Sequence, residues 1–467
     1  MVRGKIKDRH IYYRLFGLIF VMVLFGLIMV LSASSARAFD STGDSYYYIK
    51  RQLISVAIGS VALLFFSQIP VRSLQKLALP AIIAAILMLF TVLIPELGKT
   101  TGGASRWIPI GGFRIQPSEF AKLAVILYTA DFLTKRRKFL GDFKEIYPYS
   151  AVMILIILLV MKQPDMGTTL AICMAAFVMI FIGGFNLGYV IGIGTAGLIT
   201  GAYLIYSASY RLERITAFLN PMADPLGKRW QIMQSLIAFG SGGLFGVGLG
   251  MSKQKYFYLP AAHTDFIFAI IGEELGLLGA LFTISLFAFF AYYGIRVSFR
   301  CKDHFGRLLG AGLTSMIVLQ ALVNMGAVTA MLPITGIPMP FISYGGSSLI
   351  INLASAGILL SIAVENRREA SSRRRGPKLF LVQDEKAKNR ETTGKKRGIR
   401  RGLSKRLARS PNTRSKTSSK KSSTGTTKSK VRRVKASASG DKRRRNSRTR
   451  VPGSSSRRSS SKNKRRS

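Results

Sequence analysis

The sequence contains few of the residues from which disulfide frameworks and metal centres are built. It has two cysteines, Cys173 and Cys301, and three histidines among 467 residues. Two cysteines cannot form a disulfide scaffold, and both are expected to be free thiols. The sequence has no HExxH motif, no zinc-type Cys/His spacing and no GxxxxGK[ST] loop. No metal ligand is therefore predicted among its site residues.

Charged residues are absent from long stretches of the chain and concentrated in others. The chain is 48% hydrophobic with a mean hydropathy of +0.27, yet its formal net charge is +47. Up to Glu365 there are 30 Lys and Arg against 16 Asp and Glu, whereas from Asn366 onward there are 38 against 5. We predict a cytoplasmic segment at 1–14, a membrane domain at 15–365 and a disordered, Ser-rich cytoplasmic tail at 366–467.

The uncharged stretches predict ten transmembrane helices. A run of about 20 apolar residues crosses a hydrocarbon core of about 30 Å. The first run could instead be a cleaved signal peptide, because SASSARA resembles a cleavage region, but the many later spans favour a retained helix. The spans are predicted at about 15–36, 52–71, 77–95, 119–134, 146–161, 166–210 (two spans, divided at 183–188), 266–295 and 308–364 (two spans, divided at 333–340).

One apolar stretch, Gln231–Met251, is left out of this count because its glycines and serines make a poor lipid-facing helix. Ten spans with a cytoplasmic N-terminus place the basic loops at 72–76, 135–138 and 296–307 inside, together with the tail. An eleventh span would move the last loop and the tail outside, against the positive-inside rule. We therefore predict an all-α, multi-pass membrane protein. Both termini are cytoplasmic, and a long extracytoplasmic loop at about 207–264 joins helices 7 and 8.

Asp265 lies where a polar, aromatic loop meets an apolar run. A carboxylate at the mouth of a membrane span is costly to hold there, which makes Asp265 a candidate functional residue. A helix that starts at Phe266 could also use Asp265 as its N-cap, and the two roles can coexist.

Three further polar stretches fall on the same predicted outer side, at Arg106–Lys122, Tyr210–Gln231 and Pro333–Ser348. Each has a purely structural explanation when taken alone. Lys122 could neutralise Glu119 one turn earlier on the same helix, the arginines could contact lipid headgroups, and the glycines could permit close helix packing. The convergence of all the stretches on one side predicts a shared polar cavity.

Five stretches in a fixed order resemble the SEDS family of bacterial cell-wall polymerases, which includes FtsW (division), RodA (elongation) and SpoVE (sporulation). The resemblance covers about Tyr13–Glu365. Within the family, GGFRIQPSEFAK and SKQKYFYLP are most similar to the FtsW and SpoVE members. The five stretches are GASRWIPIGGFRIQPSEFAKL (Gly103–Leu123), KQPDMGTTL (Lys162–Leu170), FLNPMADPLGKRWQIMQSLIAFGSGGLFGVGLG (Phe218–Gly250), YLPAAHTDFIFAIIGEELG (Tyr258–Gly276) and LPITGIPMPFISYGGSS (Leu332–Ser348).

The resemblance implies a peptidoglycan glycosyltransferase of the bacterial inner membrane that polymerises lipid II during cell division and releases undecaprenyl pyrophosphate. Asp265, in the HTDF motif, matches the essential catalytic residue, and its implied role is general base towards the 4-hydroxyl of GlcNAc. A divalent cation, Mg²⁺ or Mn²⁺, could assist. One departure is Ala261, where many relatives have glutamate. The implied substrate-binding residues are Arg114, Gln116, Glu119, Lys122, His263, Thr264, Ser343 and Gly345.

The resemblance also implies partners, namely a class B penicillin-binding protein (a transpeptidase) and other division proteins. The basic tail is expected to bind anionic lipid, and nucleic acid non-specifically. Two other functions remain open. A lipid II flippase would use the same lipid but needs its essential charges at the membrane midplane, and a scaffold without chemistry would not need Asp265 at all.

Overall fold

The computed structural model describes residues 3–94, 99–101, 104–110, 113–136, 143–185, 187–207, 209–219, 230–368 and 388. The chain divides into two compact units, Met1–Lys388 and Asn389–Ser467, and the second lies outside the described residues. The predicted disorder of the tail falls almost wholly outside them as well. The last described helix continues to Arg368, three residues into the segment predicted as the tail.

The described part of the chain is mostly helical. Its two cysteines are free thiols, as predicted. Its twelve helices are α1 Arg3–Thr42, α2 Tyr47–Gln68, α3 Val71–Val92, α4 Pro117–Lys135, α5 Phe143–Lys162, α6 Met166–Ile182, α7 Leu187–Tyr206, α8 Ser209–Leu219, α9 Trp230–Gly242, α10 Ile267–Arg300, α11 His304–Val328 and α12 Gly346–Arg368.

Six of the described helices, α1, α2, α3, α10, α11 and α12, are long and apolar enough to cross a membrane. Two shorter apolar helices, α5 and α6, accompany them. Helices α11 and α12 are mostly buried inside the protein, whereas α2 and α3 are buried over less than a third of their most apolar stretch. Helix α4 is also largely buried, and this explains how it can carry Glu119, Lys122 and Asp131 among apolar residues.

The fold is mostly helical, as predicted, but between α3 and α4 the chain forms a small antiparallel sheet that was not predicted. Its strands are β1 Lys99–Thr101, β2 Ala104–Ile110 and β3 Phe113–Ile115, in the order β1-β2-β3. In the register, Lys99 lies opposite Trp107, and Ile108 opposite Ile115. Two residues separate each pair of strands, and in both cases they are a Gly-Gly pair, which is a hairpin signal. The last strand ends at Ile115, and one residue separates it from the start of α4.

Helix α10 is broken about one third of the way along its length, at Gly276, whose φ of 66° lies in the left-handed region. Two backbone N–H groups of the glycine-rich segment 243–248 donate to the carbonyls of Glu273 and Glu274, at 3.0 and 3.1 Å. The next two N–H groups after the break donate back to the same segment. The excluded stretch Gln231–Met251 is thus α9 followed by a segment that satisfies the open backbone groups of a broken helix.

Candidate active site

Asp265 lies in the turn that precedes α10 and is half-buried. The N-cap of α10 is Phe266, so Asp265 does not occupy the capping position that its sequence context suggested. Its backbone carbonyl accepts a hydrogen bond from Asn324 at 2.7 Å. Its carboxylate oxygens have no hydrogen-bond partner among the described residues. The carboxylate is therefore available to a ligand.

The surroundings of Asp265 raise the pKa of its carboxyl to about 6. Burial is the largest cause, because it disfavours the charged form. Arg214 and Arg106 oppose the increase and the negative charge of Asp165 adds to it. A carboxylate with a pKa near 6 is ionised at neutral pH and is still a useful proton acceptor, which suits a general base.

Asp165 is held by the N-termini of two helices. As the N-cap of α6 it accepts hydrogen bonds from the backbone N–H and the hydroxyl of Thr168, at 3.0 and 2.7 Å. It also accepts from the Gln116 amide at 3.0 Å and from the Ser118 hydroxyl at 3.1 Å, both at the start of α4. This carboxylate therefore joins α4 to α6 beside Asp265.

Two arginines anchor loops near Asp265. Arg106, on β2, donates to the carbonyl oxygens of Gln163 (2.9 Å) and Pro164 just before α6. Arg214, on α8, donates to the carbonyl oxygens of Ile334 and Thr335 at 3.3 and 3.4 Å. Both guanidinium groups bind neutral carbonyls in these contacts, so their positive charge remains available to the site.

The loop between α11 and α12 lies against the Asp265 turn. The backbone of Gly336, whose φ is 72°, lies close to the Asp265 side chain. A Cβ at this position would be 3.7 Å from a carboxylate oxygen of Asp265. The Ser343 hydroxyl accepts from the backbone N–H of Met339 at 2.8 Å, and the carbonyl of Ser343 accepts from Gln52 at 3.2 Å. The N–H of Gly345 donates to the same Gln52 side chain at 3.4 Å. Ser343 and Gly345 therefore shape the loop.

His263 and Thr264 form the turn just before Asp265. The buried His263 ring packs against Tyr48 and Tyr344, with ring centroids 4.6 and 5.5 Å away, and burial lowers the pKa of the imidazole to about 4. His263 is therefore neutral at physiological pH. The Thr264 hydroxyl donates to the carbonyl of Ala261 at 3.1 Å.

Lys122 and Glu119 form a buried ion pair within α4, with an N–O distance of 2.8 Å and side chains 1% and 2% exposed. Lys122 also donates to the Gln320 side chain at 2.8 Å. This is the arrangement that the structural explanation of Lys122 anticipated. Arg114, in contrast, is exposed on β3.

The structure thus gathers most of the predicted site residues around one loop and leaves the Lys122–Glu119 pair in the interior. Ser347 joins the start of α4 to this loop, because its hydroxyl donates to the carbonyl of Arg114 at 2.9 Å and accepts from the N–H of Gln116 at 3.2 Å. Sequence reasoning assigned no site role to five residues near Asp265. Asp165 could have been located by its position directly before an apolar run, because Asp is a favoured N-cap. The five residues are Gln52, Arg106, Asp165, Arg214 and Asn324.

Comparison with known proteins identifies the family. The family model described as "Cell cycle protein" for FtsW, RodA and SpoVE matches residues 13–368. The "Probable peptidoglycan glycosyltransferase FtsW" of Trichlorobacter lovleyi is 43% identical over 354 residues, which cover 75% of this chain and 93% of that protein. The "Stage V sporulation protein E" of Bacillus subtilis is 41% identical over 348 residues, covering 74% and 95%.

A solved structure shares the fold, with a TM-score of 0.62 and 25% identity over 76% of this chain and 98% of the other. It is described as "Structural coordination of polymerization and crosslinking by a peptidoglycan synthase complex". The chain belongs to the FtsW/RodA/SpoVE family of cell cycle proteins. Within that family it is FtsW-like, which confirms the prediction from its loop sequences. The tail from Glu369 onward lies beyond the family match.

Proposed function

We propose that this chain is a peptidoglycan glycosyltransferase that polymerises lipid II during cell division, with Asp265 as its general base. The observation that carries the proposal is the Asp265 carboxylate. It has no hydrogen-bond partner among the described residues and a pKa of about 6, and charged residues surround it. The names of the relatives supply the reaction class, and this carboxylate supplies a group able to perform its proton transfer.

In the proposed reaction, Asp265 takes the proton from the 4-hydroxyl of the GlcNAc of one lipid II. The oxygen then forms a bond to the anomeric carbon of MurNAc at the end of the growing glycan. The bond from that carbon to the diphosphate breaks, and undecaprenyl pyrophosphate leaves with the electron pair. Because the leaving group departs as a stable anion, it needs no general acid. Arg214 and Arg106 are positioned to stabilise its charge.

A divalent cation fits the site without a dedicated cage of ligands. No group of three or more His, Cys, Asp or Glu that could hold a metal occurs in the described part of the chain. Mg²⁺ is commonly held by one or two carboxylates together with substrate phosphates and water. The diphosphate of the substrate would supply ligands for such an ion, which would neutralise charge on the leaving group while Asp265 remains the proton acceptor. Activity should therefore be measured with and without Mg²⁺ or Mn²⁺.

We also infer the ten-span topology, with α8 and α9 in the loop between the seventh and eighth spans. In that topology the site elements all meet on the outer side: the starts of α2, α4, α6, α10 and α12, and the end of α11. Each of these helix ends falls on that side when spans alternate from a cytoplasmic N-terminus. Reporter fusions at Ser252 and Ser298 should report outside and inside respectively, and a cytoplasmic signal at Ser252 would reject both the topology and the site.

The proposed function is tested with the purified full-length protein and fluorescent lipid II. The expected result is a ladder of glycan strands. A folded protein that makes no ladder, with or without a class B penicillin-binding protein and either cation, would reject the proposal. Lipid transport would then be measured in liposomes, because a flippase would use the same lipid and the buried Lys122–Glu119 pair could serve it.

We infer that the partner is a class B penicillin-binding protein, which would crosslink the new strands. The support is the similarity to a structure whose description joins polymerization with crosslinking in one synthase complex. Other division proteins, anionic lipid and nucleic acid are proposed partners of the basic chain. The tail that would bind the last two lies outside the described residues, apart from 366–368 and Lys388.

Arg214→Gln should move the pH dependence of polymerisation to higher pH. The rate of the wild type should rise as Asp265 loses its proton, with a midpoint near pH 6. Arg214 favours the charged carboxylate, so removing its charge raises the pKa of Asp265 further. The variant should therefore lose activity at pH 6 and recover it towards pH 8. The initial rate is measured from pH 5 to 9, with Arg296→Gln as the control, and an unmoved profile would show that Arg214 does not act on Asp265.

A further inference from the structure

Two buried amides on successive turns of α11 face the loop that lies against Asp265. Gln320 and Asn324 are four residues apart, so they share one face of the helix. Their exposed fractions are 0% and 2%. Gln320 donates to the carbonyl of Pro338 at 2.9 Å, and Asn324 donates to the carbonyl of Ile337 at 2.7 Å. Two adjacent loop carbonyls are therefore satisfied by two side chains of a single helix.

Asn324 makes a second hydrogen bond that Gln320 does not make. Its other N–H donates to the backbone carbonyl of Asp265 at 2.7 Å. That carbonyl lies outside the α10 hydrogen-bond ladder, because the N–H of Ala269 donates to Phe266 instead, at 2.9 Å. A buried carbonyl without a donor is costly, so the Asn324 amide is what makes this backbone position stable.

We propose that Asn324 is a positioning residue that fixes the main chain of Asp265 against the loop between α11 and α12. One planar NH₂ group bridges the Asp265 turn and the loop at Ile337. The Asp265 carboxylate lies next to Gly336, which precedes Ile337 in the loop. The bridge therefore sets the distance between the carboxylate and the loop. The proposal deepens the proposed glycosyltransferase function and rests on it.

The oxygen of the same amide supports this assignment. Asn324 Oδ1 is buried and has no hydrogen-bond partner among the described residues. The contribution of this side chain to the site therefore lies in its two N–H donors. Gln320 uses both ends of its amide, since its oxygen accepts from Lys122 at 2.8 Å. Gln320 therefore joins the loop to Lys122, and Asn324 joins the same loop to Asp265.

Asn324→Asp and Asn324→Ala test the proposal in the full-length protein. The aspartate keeps the volume of the side chain and removes the NH₂ group, whereas the alanine removes both. Because misplacing a catalytic group by about 1 Å can cost about 100-fold in rate, both variants should lower kcat by about 10- to 100-fold. KM for lipid II should stay within about threefold, since substrate contacts are unchanged.

Asn352→Ala is the matched control. Asn352 is also a buried asparagine on a membrane helix, with a donated bond to Ser348 at 3.3 Å and an oxygen without a partner in the described part of the chain. Its hydrogen bond in the described part of the chain does not involve the Asp265 turn or the residues that bind it. Its alanine variant should lose comparable thermal stability in detergent while keeping the wild-type kcat.

Two outcomes would overturn the proposal. The first is a wild-type kcat in Asn324→Asp, and the second is a loss of kcat in Asn352→Ala as large as in Asn324→Ala. Either would mean that Asn324 only stabilises the fold. A failure of the proposed glycosyltransferase function can be distinguished from a failure of the Asn324 proposal, because in that case the wild type itself would form no glycan.

Discussion

Replacing Asp265 with asparagine should lower the rate of glycan polymerisation by about 10²- to 10⁴-fold, the usual contribution of a general base. The substitution keeps the size and shape of the side chain and removes only its ability to accept a proton. The carboxylate oxygens have no hydrogen-bond partner among the described residues, so no structural contact is lost. Asp265→Asn should therefore keep the thermal stability of the wild type. Initial rates with fluorescent lipid II and melting curves in detergent measure the two quantities.

Asp44→Asn is the matched control for this substitution. Asp44 lies between α1 and α2, on the same proposed side of the membrane, and forms an exposed ion pair with Lys50 at 2.8 Å. Such pairs contribute little to stability, and its variant should polymerise at the wild-type rate. Growth supported by Asp265→Asn at the wild-type level would instead favour the scaffold hypothesis, whereas polymerisation by the purified variant at the wild-type rate would show that Asp265 is not the base.

The pH dependence of the same variant gives a second, independent measurement. The wild-type rate should increase with pH up to a plateau above the pKa of Asp265, near 6. Any residual activity of Asp265→Asn should lack this increase, because the amide does not titrate. A residual activity that still rises with a midpoint near pH 6 would assign the base to another group, and Asp165 would be the first to examine.

The long helices could be predicted from the sequence because placing a charged side chain in the hydrocarbon core of a bilayer costs free energy, so membrane spans appear as uncharged runs. The uncharged runs located α2, α3 and the pair α6 and α7, whose break at 183–186 coincides with clustered turn residues. The sheet was missed because its strands are only three to seven residues long. The break in α10 was missed because a glycine alone does not reveal whether another segment will complete its open hydrogen bonds.

The candidate site was predictable to the extent that its residues carry charge. Asp265 and Lys122 were visible because ionisable groups are rare next to apolar runs. Gln52 and Asn324 were not, since uncharged amides occur in many membrane helices and only the partner in the folded protein distinguishes them. Arg214 was visible, but its contacts with the loop at 334–335 follow from tertiary structure. Charge identified the candidate residues, whereas the residues that position them are recognised only by their contacts in the folded protein.

Lys122→Met should destabilise the protein by about 3–5 kcal/mol, because it leaves the Glu119 carboxylate buried without its cation. The double variant Glu119→Gln/Lys122→Met should recover most of that loss, since it leaves no unpaired charge. Denaturation in detergent measures both. Lys135→Met is the control, because Lys135 forms an ion pair on the same helix with Asp131 but its side chain is 64% exposed. Its loss should be no more than about 1 kcal/mol.

The activity of the double variant decides between the two interpretations of Lys122. If Lys122 contacts the diphosphate of the substrate, the double variant should be stable but poorly active, with a raised KM for lipid II. If the pair only holds α4 and Gln320 in place, the double variant should regain activity together with stability. The observed contacts favour the second result, because Lys122 already binds Glu119 and Gln320, each at 2.8 Å, and is 1% exposed. In that case the charges that meet the substrate are those on the surface of the site, Asp265 and the arginines around it.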